Sequence, residues 1–170
     1  MKKCLVCLLV LLLSACAAPV WETVKDEIPA VAVSAGEDDS YTIQVGVPEN
    51  LSLCEERDGW QLYAAQDGAL EVETRTFLTS GLDSAVRMVS GFEAEKLTIL
   101  KTTRFDMPEY QFAWAAQTEQ GMRLYRADLV LDGMTCYAVV CSHSEDVGTG
   151  CDTQIRQVFS SFGLFTDEGV

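Results

Sequence analysis

Four apolar segments, KLTILKTT, EYQFAWAAQT, GMRLYRADLVL and MTCYAVVCS, run from Lys96 to Ser142 with only turn residues between them. The joints are Met107-Pro108, Glu119-Gln120-Gly121 and Asp132-Gly133. A parallel crossover takes about a dozen residues or more, so joints this short force the successive strands to be antiparallel. Further upstream, WQLYAAQ and ALEVETRTF flank Asp67-Gly68, a strong hairpin signal. YTIQVGVP (Tyr41–Pro48) alternates as a strand ended by a proline. Between the two groups of strands, Leu82, Val86, Val89 and Phe92 repeat at helical spacing, and Ser80 with Asp83 has the spacing of a capping box. A second helix is expected over roughly Thr149 to Phe162, its apolar stripe being Cys151, Ile155, Val158, Phe159 and Phe162. The order strands, helix, meander, helix predicts an α+β domain: an antiparallel β-sheet of about six to seven strands with two helices packed on it.

The 170 residues hold 26 Asp+Glu against 12 Lys+Arg, a formal net charge of −14. Such a chain is repelled by nucleic acid and by anionic lipid head groups, and no basic patch offsets this. Apolar content of 48% excludes general disorder.

The first residues have an address written into them. Lys2 and Lys3 precede an uncharged apolar run, Cys4 to Leu13. At about ten residues it is half the length needed to span a bilayer, but it suits a signal-peptide core. Leu13-Ser14-Ala15-Cys16 then resembles the lipobox of bacterial lipoproteins at all four positions. That resemblance implies cleavage after residue 15 and diacylation of Cys16. Two acyl chains hold a protein stably on a bilayer. Loss of Lys2 and Lys3 with residues 1–15 makes the mature chain more acidic by two charges. The expected organisation is a signal peptide (1–15), a lipid-anchored tether (16–40) carrying Pro19 and Pro29, and one domain (41–170). A flexible tether of that length spans roughly 25–30 Å. The expected location is the extracytoplasmic face of the cell membrane.

The opening YTIQVGVPEN and the closing QIRQVFSSFGLF, with the element order between them, resemble the PsbP/Mog1-like fold. The resemblance implies a mostly non-catalytic superfamily of assembly factors, regulators and small lipoproteins. It brings no site motif with it. A cystatin-like or NTF2-like α+β scaffold is the alternative.

Candidate chemistry is sparse. After Cys16 four cysteines remain, and an exported chain with an even number suggests disulfides. Cys136 and Cys141 are five apart on one strand, hence on opposite faces and roughly 16 Å apart, too far to bond. Cys141 ends that strand and Cys151 opens the last helix, so a Cys141–Cys151 bond would pin helix to sheet. Cys54 with Cys136 is the weaker remaining pair, and buried free thiols are the alternative to both. Cys141, His143 and Cys151 lack the spacing of a zinc site. His143 is the sole histidine. Any Ser-His or Cys-His system must use it, yet Ser142 and Ser144 lie beside it in sequence and no nucleophile-elbow motif accompanies it. A solvated loop position is expected for it. The acidic pairs Asp38-Asp39, Glu55-Glu56 and Glu145-Asp146, with Asp152, are expected to be solvated surface.

Tyr110, Phe112 and Trp114 share one strand face, and Trp60 falls on a neighbouring strand. These four form the candidate binding surface, with core beneath a helix as the alternative and Trp60 as the aromatic expected to be most exposed. No motif implies a cofactor or a metal. The expected function is a non-catalytic binding or accessory module for a protein or envelope component, its other partner being the bilayer through Cys16. A hydrolase or thiol-redox enzyme built on His143 or the cysteines is the alternative.

Overall fold

The computed structural model describes residues 41–166. The expected signal segment 1–15, Cys16, and the tether 16–40 with Asp38-Asp39 lie outside the described residues. In chain order the elements are β1 (Tyr41–Gln44), β2 (Leu51–Arg57), β3 (Trp60–Ala65), β4 (Leu70–Leu78), α1 (Leu82–Ser90), β5 (Ile99–Arg104), β6 (Met107–Thr118), β7 (Gly121–Asp132), β8 (Thr135–Ser144), α2 (Asp152–Ser160) and β9 (Gly163–Thr166). Seven strands form one sheet, in the order β2-β3-β4-β8-β7-β6-β5, and β1 pairs with β9 in a separate ribbon. All neighbours are antiparallel. The domain is therefore α+β, as the short joints require.

β8 lies in the middle of the sheet, and its alternation divides the core in two. Tyr137, Val139 and Cys141 join the buried cluster with Ile155 and Val158 of α2 and with Tyr41 and Leu164 of the ribbon. Cys136, Ala138 and Val140 join the opposite cluster with Ala85, Val86 and Val89 of α1. With both faces covered, every residue from Cys136 to His143 is buried, and Cys136–Cys141 reads as a continuous apolar run. Cys136 and Cys141 do face opposite ways.

Five local expectations are corrected. The β5–β6 turn falls at Phe105-Asp106, at φ 53° and 61°, and Met107-Pro108 opens β6 instead of forming the joint. The Ser80/Asp83 capping box does not form. Gly81 is the N-cap at φ 141° and ψ −171°, a conformation open only to glycine. The hydroxyl of Thr79 donates to the Gly81 carbonyl (2.9 Å) and accepts from its N–H (3.3 Å). The second helix begins at Asp152, because Glu145–Cys151, with two glycines, winds as a 3-10 segment. β2 is an additional strand, exposed from Ser52 to Arg57 and so without the alternation that burial of one face imposes. β9 is the other addition, a four-residue strand whose pairing with β1 holds the ribbon together.

Candidate functional site

Register places the four aromatic candidates on one face. Trp60 lies opposite Arg75, which lies opposite Ala138. Tyr110 pairs with Leu129, Phe112 with Ala127 and Trp114 with Tyr125. All belong to the side of the sheet that α1 covers. They form two separate groups, since β3 and β6 are four strand spacings apart, roughly 19 Å.

On the β6–β7 side the rings make a ladder. Phe112 and Trp114 stack at 5.5 Å, and Trp114 and Tyr125 at 5.0 Å with planes 8° apart. Phe112 is buried, whereas Tyr110, Trp114 and Tyr125 are half-buried at the margin of α1. On the β3–β4 side Trp60 is half-buried, not the exposed residue expected. Its indole N–H donates to Glu73, the Arg57 guanidinium sits 5.2 Å over its ring, and Glu73 also pairs with Arg75.

Between the groups lies a polar cluster that sequence reasoning missed. Arg123 is buried and donates to the Gly68 carbonyl (2.9 Å) and the Ser142 hydroxyl (2.9 Å), and it pairs with Glu71 at 3.1 Å. Ser142 in turn donates to Glu71 at 3.1 Å. A buried guanidinium needs such partners to offset its lost hydration. Only register could have revealed the cluster, because Arg123 and Gly68 are 55 residues apart.

The expected nucleophiles and bases do not converge. His143 is not in a loop: it is a buried residue of β8, its Nδ1 3.0 Å from the Ser144 carbonyl. The solvated position fails because β8 extends to Ser144, with Leu70 and Leu124 paired on either side of His143. As its strand neighbour, Ser142 faces the other way. Cys141 and Cys151, expected as a disulfide pair, are free thiols buried in one cluster, and Cys136 is free and buried in the other. Burial pushes Cys136 and Cys141 up to about 12, which suppresses the thiolate that thiol chemistry requires. Burial also raises Cys151. Cys54 is exposed on β2. Glu55, Glu56, Glu145 and Asp146 are exposed, while Asp152 pairs with Arg126 at 2.8 Å. Among the described residues no group of three or more His, Cys, Asp or Glu side chains is placed to hold a metal ion.

A second charged cluster lies on the α2 face. Arg104 pairs with Glu109 and with the fully buried Asp128 (3.2 Å), and it donates to the Phe162 carbonyl (3.0 Å). Gln111 donates to Asp128 at 3.1 Å and Thr102 donates to Glu109. Burial and the Glu109 charge push Asp128 well above the usual carboxylate range. Burial acts the same way on Glu109, but the Thr102 hydrogen bond and the Arg104 charge outweigh it and hold Glu109 low. Glu109 is thus the more acidic of the pair, and Asp128 keeps its proton to higher pH.

No family model matches the sequence, and no curated protein does. Similar solved structures exist. A Bacteroides thetaiotaomicron protein aligns with a TM-score of 0.51 and 11% identity over 75% of this chain, which spans about half (46%) of that one. Cyanobacterial PsbP (CyanoP) from Synechocystis has a TM-score of 0.46 and 12% identity over 78% of this chain and 98% of its own. The Saccharomyces cerevisiae Ran-binding protein Mog1p has a TM-score of 0.46 and 9% identity over 74% of this chain and 96% of its own. At such identities the likeness is one of fold alone.

Proposed function

We propose that this chain is a lipoprotein held at the extracytoplasmic face of the membrane through diacylated Cys16, and that its domain is a non-catalytic binding module for a protein or envelope component. The observation that carries the binding role is the α1 face of the sheet. The helix buries its centre and leaves Trp60, Leu62, Tyr110, Trp114 and Tyr125 half-buried around it, with the Glu73–Arg75 and Glu71–Arg123 pairs between. Amphipathic rings beside fixed charges are the composition of recognition surfaces. The anchoring role is supported by Lys2-Lys3, the short apolar run and the Leu13–Cys16 motif.

Two measurements test the reading. Cys16→Ala is expected to move the protein from the membrane to the soluble fraction. If it stays fully membrane-bound without detergent, the anchor is wrong. Crosslinking in intact cells is expected to capture a partner that is lost in Trp60→Ala or Trp114→Ala variants with native circular dichroism. Capture unaltered in both variants would remove this face as the binding surface.

A further inference from the structure

The two edges of the seven-stranded sheet are built differently. β2, at one edge, breaks register between Leu53 and Glu55 and carries Glu55 and Glu56 exposed. A bulge and like charges are devices that blunt an edge against added strands. β5, at the other edge, keeps its register, and its one exposed charge is Lys101. Its six residues pair with β6 without interruption, from Ile99↔Phe112 to Arg104↔Met107. Every second residue of such an edge presents its N–H and C=O outward, and among the described residues no strand receives them.

The side chains along β5 specify what it will accept. Among the described residues the arginines other than Arg156 are paired with carboxylates, while Lys96, Lys101 and Arg156 have no carboxylate partner. Both of these lysines belong to this edge: Lys101 is exposed within β5, and Lys96 is exposed in the turn three residues before it. Lys101 projects on the α1 face, its Nζ 5.8 Å from the Tyr110 ring centroid. Its neighbour Leu100 projects on the α2 face and is 48% exposed. An exposed lysine disfavours a neutral or basic strand at an edge and accepts one that brings a carboxylate.

We infer that β5 is a docking edge for an extended acidic segment of a partner protein, which adds to the sheet as an eighth strand. Its alternate residues lie on opposite faces. Carboxylates on one side meet Lys101, and apolar side chains on the other cover Leu100. The inference deepens the binding-module reading, and the Cys16→Ala fractionation remains a separate test of the anchor.

The test uses the full-length protein in detergent and a fluorescein-labelled eight-residue peptide alternating glutamate and valine. Anisotropy is expected to show saturable binding that weakens at least tenfold in Lys101→Glu and is unchanged in Glu56→Lys at the opposite edge. A peptide N-methylated at alternate residues, which cannot complete the ladder, is expected not to bind. Equal binding by the N-methylated peptide would reduce the effect to charge alone and overturn the inference, as would unaltered affinity in Lys101→Glu. So would a dimer in sedimentation that Lys101→Glu dissociates, because β5 would then pair with a second copy.

Discussion

Replacing Arg104 by methionine is expected to cost about 3–5 kcal/mol of folding stability, a large fraction of what a domain of this size has. The guanidinium is mostly buried and serves three acceptors from different parts of the chain: Glu109 on β6, Asp128 on β7 and the Phe162 carbonyl beyond α2. Without it Glu109 is left as an uncompensated charge and the Phe162 carbonyl loses its donor. Asp128→Asn should behave differently, since the amide keeps an acceptor for Arg104 and Gln111 and mimics the protonated acid. Its cost at neutral pH should stay within about 1 kcal/mol.

The pH dependence separates the two carboxyls. The folded-state value of Asp128 is raised, so its contribution is present below the ordinary carboxylate range and is lost as pH rises through the raised value. Glu109 is lowered, so its contribution is present above the ordinary range and is lost as pH falls through the lowered value. Urea midpoints measured from mildly acidic to alkaline pH should therefore decline toward the alkaline side in the wild type and stay flatter in Asp128→Asn. Identical slopes in the two proteins would show that Asp128 does not carry the buried proton.

The second large effect comes from the divided core. Leu129, fully buried under α1, and Ile155, buried on α2, belong to clusters on opposite faces of the sheet. Either one changed to alanine should cost about 2–5 kcal/mol. Because the two clusters are separate, the losses should add to within about 0.5 kcal/mol in the double variant. With a typical domain stability of about 5–15 kcal/mol, the double variant is expected to lose a large fraction of it. Denaturant unfolding of the four proteins closes the cycle. A coupling above about 1 kcal/mol would mean that the faces communicate through β8.

Much of this architecture is legible in sequence because tight turns and period-two alternation are local. The β6–β7–β8 meander needs only Glu119-Gln120-Gly121 and Asp132-Gly133 to be read correctly. What is illegible has a physical reason in each case. β2 is exposed along most of its length, so no buried face imprints a period on LSLCEER. His143 looks like a loop residue because polar neighbours flank it, while what buries it comes from Leu70 and Leu124 across the ladder. The aromatic face is half visible: Tyr110, Phe112 and Trp114 lie on one strand, but Tyr125 joins them only through register. Arg123, Glu71 and Ser142 are individually ordinary polar residues of three strands. Their meeting is a property of the strand order β4-β8-β7, which no local pattern encodes.

The ribbon of β1 and β9 has a mechanical consequence. Tyr41, the first residue of β1, is paired with Thr166, and among the described residues β9 is the strand that pairs with β1. A pull on the chain ahead of Tyr41 is therefore borne by a four-residue ribbon and the seating of Tyr41 against Tyr137, their rings edge-on at 5.7 Å. What load reaches the seven-stranded sheet enters it through β8, where the Tyr41 N–H donates to the Tyr137 hydroxyl at 3.1 Å. Under tension the ribbon is the first part to yield, and the large sheet with its aromatic face and β5 edge stays assembled behind it.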